Sequence, residues 1–206
     1  MKKAVFLAAL LAFAGLMMPT TARANGIDLT NQYGTVTITN AGVVSHGSEL
    51  YSFNGITAFP GHSLGSVSFS TGALSSGDIW SGGTFSSAGS SFIITGAGRY
   101  GQPRGVIFNG SFVGPIDWTV IGKSGKYFVE YQLSGKIQGL LWTGRYVSGT
   151  TTQTIYTYKN QEIVDHKGNI SLGSTHFATP EPGTLGMLGT GLVTIAGIFR
   201  RKLGKG

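Results

Sequence analysis

Glycine recurs so densely between Thr30 and Thr179 that, outside one run from Thr150 to Lys167, no stretch of more than nine residues lacks one. A glycine inside a helix costs about 1 kcal/mol relative to alanine. Helices of ordinary length therefore have no room in this section. The exceptional run opens with Thr150-Thr-Thr-Gln-Thr-Ile-Tyr-Thr-Tyr158, whose β-branched and aromatic residues favour a strand instead. Polar and apolar residues alternate along Thr35–Thr39, Ser66–Ser70 and Tyr127–Leu133, the period of a half-buried strand. Apolar runs at Ser91–Thr95, Gly105–Phe108 and Asp117–Ile121 read as further strands. Asn54-Gly55, Ser76-Gly77, Asn109-Gly110 and Ser124-Gly125 are turn signals, and Asn109-Gly110 is the clearest hairpin among them. About ten strands recurring every 8–12 residues predict an all-β domain, an antiparallel β-sandwich or barrel. Gly83-Thr84-Phe85 and Gly110-Ser111-Phe112 form a short echo with no regular period.

Charge separates this section from its ends. The chain of 206 residues carries a formal +7. Lys2, Lys3 and Arg23 lie near the start, and Arg200, Arg201, Lys202 and Lys205 lie near the finish. Between residues 25 and 179, eight basic residues face seven acidic ones. A dispersed near-neutral charge cannot supply the phosphate contacts of nucleic-acid binding, so no nucleic acid is expected as a partner. The absence of cysteine excludes disulfides and thiolate metal sites. Twenty of the 23 aromatic residues fall between 25 and 179, enough for one packed core.

The N-terminus has the order of a secretory signal: Met1-Lys2-Lys3, an apolar run of 15 residues from Ala4 to Met18, then Ala22-Arg23-Ala24. The run is short for a span, which needs about 20 residues. Residues 1–24 are therefore expected to be a signal-peptide helix. Cleavage would follow Ala24, with Ala22 and Ala24 as the small residues of the site, and the protein would be exported. The C-terminus reads Pro180-Glu181-Pro182, then 17 uncharged residues from 183 to 199, then Arg200-Arg201-Lys202. As a helix those 17 residues span about 26 Å, the lower limit for crossing the hydrocarbon core. The basic cluster would stay cytoplasmic. A plain single-span anchor is the alternative.

This arrangement resembles the PEP-CTERM sorting signal, in which a Pro-Glu-Pro tripeptide precedes a transmembrane helix and a terminal basic cluster. The resemblance covers residues 180–206 and the export signal that accompanies it. It implies recognition by an exosortase, a membrane protease, and processing near Pro180-Glu181-Pro182. Release or attachment to the cell surface or exopolysaccharide would follow. The Gly/Thr/Ser-rich middle, residues 25–179, is similar in texture to β-domains of other proteins with this signal.

Two catalytic motifs occur without their contexts. Gly61-His62-Ser63-Leu64-Gly65 fits a nucleophile elbow, which needs a strand before it and a helix after it. Here Pro60 precedes it and strand alternation follows. Gly96-Ala97-Gly98-Arg99-Tyr100-Gly101 fits a dinucleotide loop but leads through Pro103 into another strand instead of a helix. His46, His62, His166 and His176 share no ligand spacing, so neither a metal nor another cofactor is expected. Asp117 and Glu130 read as solvent-facing strand positions and not as an acid–base pair.

The aromatic residues carry the remaining hypothesis. Trp80, Trp118 and Trp142, with Tyr127, Tyr131, Tyr146, Tyr156 and Tyr158, could form a sugar-stacking platform or pack across strands. The expectation is an exported, non-catalytic surface or extracellular-matrix protein with a structural or adhesive role. It would be held by its C-terminal helix before processing. A glycan-binding β-module is the alternative, and a secreted enzyme with converging carboxylates is a third class.

Overall fold

The computed structural model describes residues 26–122, 128–158 and 167–178. The expected signal peptide and its Ala22–Ala24 site, the sorting tail, and the Ser124-Gly125 turn lie outside the described residues. Every regular element among the described residues is a β-strand.

Thirteen strands run in chain order: β1 (Ile27–Gln32), β2 (Thr35–Thr39), β3 (Gly42–Ser45), β4 (Ser48–Phe53), β5 (Ile56–Thr57), β6 (Gly65–Ser70), β7 (Leu74–Asp78), β8 (Gly82–Phe85), β9 (Ser91–Ala97), β10 (Arg104–Gly122), β11 (Phe128–Leu141), β12 (Tyr146–Tyr158) and β13 (Lys167–Ala178). Eight of them close on themselves in the cyclic order β1, β4, β6, β9, β10, β11, β12, β13 and back to β1, each pair antiparallel. Of the two expected architectures the fold is therefore the barrel. Closure removes the unpaired edges that a sandwich leaves open.

The remaining strands lie outside this ring and add to it at both ends. The β2–β3 hairpin bridges β13 to β6, and the β7–β8 hairpin pairs with the second half of β10. β5 lengthens the edge of β4. At eight strands a barrel interior is just wide enough for side chains to fill it. Here Phe69, Phe92, Phe108, Phe112 and Phe177 fill it with rings in mutual contact, Phe108 and Phe177 at 4.4 Å between centroids.

Alternation decides which faces point in. Along β12, Val147, Thr151, Gln153, Ile155 and Thr157 are buried, while Ser148 and Thr150 are exposed and Thr152 and Thr154 half-buried. The outer face of this strand is thus hydroxyl-rich over an interior of mainly apolar residues. A membrane-spanning barrel carries an apolar band outside, and the outer face of β12 has the reverse polarity.

Two turn expectations are corrected. Asn109 and Gly110 form no hairpin; they lie inside β10, which runs unbroken from Arg104 to Gly122. Gly110 pairs with Gly139 across β11, and a Cβ on Gly110 would stand 2.2 Å from the Gln138 carbonyl oxygen. That glycine serves close backbone approach, not reversal. Ser76-Gly77 is likewise interior to β7. The reversal comes just after it, where the Asp78 carboxylate accepts the Trp80 and Ser81 backbone N–H groups at 2.6 and 3.3 Å, an Asx turn. Asn54-Gly55 does join β4 to β5 as expected.

The 19-residue β10 can serve two neighbours because it bends. Between Val113 and Asp117 its register against β11 slips, with three β10 residues facing Gly135 alone. Gly114, at φ +74°, and Pro115, which has no N–H to donate, occupy the bulge. Before it β10 pairs with β9, and after it with β8.

Candidate functional site

The register defines the two ends of the barrel. Ile27 opposes Phe177, Leu29 opposes Phe53, Gly65 opposes Gly96, Ala97 opposes Arg104, Phe108 opposes Leu141, and Ala178 opposes Ser148. The start of β1 and the finish of β13 therefore share one end, here the terminal rim. It also carries the segment 58–64, the loop 98–103 and the turn 142–145. The other end, the far rim, carries the β7–β8 turn.

The three tryptophans do not share a face. Trp118 is wholly buried, stacked on Tyr131 at 4.6 Å with an interplanar angle of 6°, and its indole N–H donates to the Ile79 carbonyl at 2.8 Å. Its ring faces are thus committed to the core, so it offers nothing to a sugar. Trp80 stands exposed on the far rim and Trp142 on the terminal rim, edge-on to Phe53 at 5.9 Å. Tyr156 packs against Phe128, and Tyr146 is exposed. Tyr127 lies outside the described residues, as does the side chain of Tyr158. The Tyr131 hydroxyl donates to the Trp80 carbonyl at 3.3 Å. Burial pushes the Tyr131 phenol up from its ordinary value, the nearby Asp78 charge adds to this, and the Thr157 hydroxyl partly offsets it.

A buried polar cluster lines one side of the barrel interior, along the neighbouring strands β4, β1, β13 and β12. Asn31, Ser48, Thr151, Gln153 and Thr175 are almost fully enclosed. The Asn31 amide donates to Ser48 Oγ at 2.6 Å and to Gln153 Oε1 at 2.9 Å. Gln153 Nε2 donates in return to Asn31 Oδ1 at 3.3 Å and to Thr151 Oγ1 at 2.9 Å, and Thr151 pairs with Thr175. Each amide thus finds its partners inside the group, which is what burial of an amide requires. Gly173 sits between them in the ladder, opposite both Asn31 and Gln153. A Cβ there would stand 2.1 Å from Asn31 Oδ1 and 2.2 Å from Gln153 Oε1. Strand parity could have revealed the cluster, because Asn31 shares its face with Leu29, and Thr151 and Gln153 share theirs with Ile155.

The other motifs fall where their sequence contexts put them. Ser63 lies in the segment before β6, with no helix after it, and Gly98–Gly101 lie in the loop joining β9 to β10. Asp117 opposes Ser134, four residues along β11 from Glu130, about 13 Å at strand spacing. His46 bonds Thr37 Oγ1 at 3.0 Å, and His176 pairs with Asp28 at 2.6 Å. Among the described residues no three His, Asp or Glu side chains gather as a metal site. His166 lies outside them.

The class defined by these residues is a closed, antiparallel all-β barrel with a filled interior. Its chain continues from β13 directly into a sorting signal: the family model for the PEP-CTERM protein-sorting motif matches residues 178–202, spanning Pro180-Glu181-Pro182 and Arg200-Arg201-Lys202. This motif implies an exported protein processed by an exosortase, associated with the surface or membrane before processing. No curated protein and no solved structure matches the chain.

Proposed function

We propose that the mature protein is a non-catalytic barrel of the cell surface or extracellular matrix, with a structural or adhesive role. One observation carries this reading beyond the sorting signal. The interior is filled by interlocked rings and by amides bonded to one another, while the outer faces present rows of hydroxyls. Thr30–Ser52, Ser66–Thr95 and Ser70–Ser91 are paired across neighbouring strands at 2.7–2.8 Å. A closed barrel of this kind resists unfolding outside the cell without disulfides, and its hydroxyl surface suits a hydrated polysaccharide matrix.

Before processing, residues 183–199 would span the membrane with Arg200-Arg201-Lys202 on the cytoplasmic side. Mass spectrometry of the mature protein tests the processing. The expected form begins at Asn25 and lacks the tail beyond the Pro180–Pro182 region, and a mature form ending at Gly206 contradicts the reading. The glycan-binding alternative needs convergent exposed rings. The burial of Trp118 and the placement of Trp80 and Trp142 on opposite rims count against the platform of tryptophans from which it arose.

A further inference from the structure

The terminal rim combines exposed rings and cations at the place where the chain leaves for its sorting tail. Phe59 is 61% exposed and Tyr100 48% exposed, and the two rings meet edge to face at 5.3 Å although they belong to different loops. Trp142 and Tyr146 flank the β11–β12 turn at 44% and 57% exposure. Arg99, Arg104 and Arg145 are exposed at the same rim. In β1 and β4, the carboxylates nearest this rim are Asp28, engaged by His176, and Glu49, while Asp117 of β10 and Glu130 of β11 lie toward the other end of their strands. Large rings are costly to leave in water unless something covers them, and rings with polar edges beside arginines suit the headgroup layer of a bilayer.

Chain length supplies the occupant. Ala178 ends β13 on this rim, and the uncharged stretch begins at Gly183, five residues later. Even fully extended, those five steps reach only about 18 Å. The interfacial layer on each side of the hydrocarbon core is itself about 5–8 Å thick. Resting on the reading that residues 183–199 span the membrane, we propose that the terminal rim docks onto the lipid surface, with Phe59, Tyr100, Trp142 and Tyr146 in the headgroup layer and the arginines against anionic lipid. Docking holds Pro180-Glu181-Pro182 at the membrane interface, where a membrane protease can reach it. Removal of the tail would end the tether that holds the rim against the lipid.

The far rim provides an internal control, since Trp80 is exposed there and Trp118 is buried. The exported chain with its tail, residues 25–206, is reconstituted into vesicles of phosphatidylcholine and phosphatidylglycerol, with bromines near the headgroup end of the phosphatidylcholine chains. Flotation with the vesicles reports the tail; tryptophan quenching reports the rim. The expected result is quenching that persists in Trp80→Phe and falls severalfold in Trp142→Phe. It should weaken in Phe59→Ser/Tyr100→Ser and in Arg99→Gln/Arg104→Gln, all surface changes that leave the core intact. A chain that fails to float contradicts the anchoring reading itself. A chain that floats with Trp142 unquenched, or with Trp80 and Trp142 quenched alike, overturns the docking. Retention of the rim on exopolysaccharide without lipid quenching assigns it to sugar and overturns the docking as well.

Discussion

Asn31 and Gln153 show how much one pair of amides can decide. Each satisfies the other, so removing one strands the partner in a low-dielectric interior, whereas removing both leaves nothing unpaired. Asn31→Leu alone is expected to destabilise the barrel by about 3 kcal/mol. Asn31→Leu with Gln153→Leu should recover most of that loss, and chemical denaturation of the two variants measures the coupling. Tyr131 gives a second residue-scale expectation. Its phenol titrates above the ordinary value near 10 when folded, because burial disfavours the phenolate. The folded state therefore holds the proton more tightly than the unfolded chain. This stabilisation is fully present below the unfolded pKa and is lost as pH rises through the folded one. Stability should stay level in Tyr131's contribution up to neutral pH and fall on the alkaline side, and Tyr131→Phe should flatten that alkaline limb in a pH series of thermal melts.

At the scale of elements, the glycines of β10 divide by role. Gly114 lies at φ +74° with nothing within 4 Å of its missing side chain. Gly114→Ala should therefore cost only the backbone strain, about 1 kcal/mol. Gly110 lies opposite Gly139, with the Gln138 carbonyl in the space a Cβ would take. Gly110→Ala must push β10 away from β11 and should cost more than Gly114→Ala. Comparing the two unfolding midpoints decides this, and amide exchange should show the Gly110→Ala loss localised to β10 and β11. The bulge also explains why one strand can pair with β9 before Gly114 and with β8 after it. The sequence signal at Asn109-Gly110 resembled a hairpin because the same residue pair suits both a reversal and a close strand crossing.

For the whole molecule, the barrel and the sorting motif divide the labour. The motif across 178–202 implies exosortase processing, and the barrel is what processing would leave behind. Deleting Pro180-Glu181-Pro182 should shift the protein away from its normal destination while leaving the unfolding midpoint of the barrel unchanged. Fractionation of cells with and without the three residues, paired with a melt of each product, tests both halves. An unaltered address would reduce the tail to a plain anchor.

The sequence by itself determined the all-β class, because glycine spacing leaves no room for helices and alternation needs no partner to be read. It also determined the sorting signal, since a tripeptide, an uncharged stretch and a basic cluster act in linear order. Strand parity was also there to mark Asn31, Thr151 and Gln153 as inward-facing, since they alternate in step with Leu29 and Ile155, but their polar character hid them among the solvent-facing positions. Only the tertiary structure decided that the sheet closes into a barrel and that Asn31 meets Gln153 across 122 residues of chain. The same holds for Trp118 lying beneath Tyr131 while Trp80 and Trp142 stand on opposite rims. Closure and ring placement depend on register and on the bend in β10. These are properties of pairing between distant segments, which local pattern does not encode.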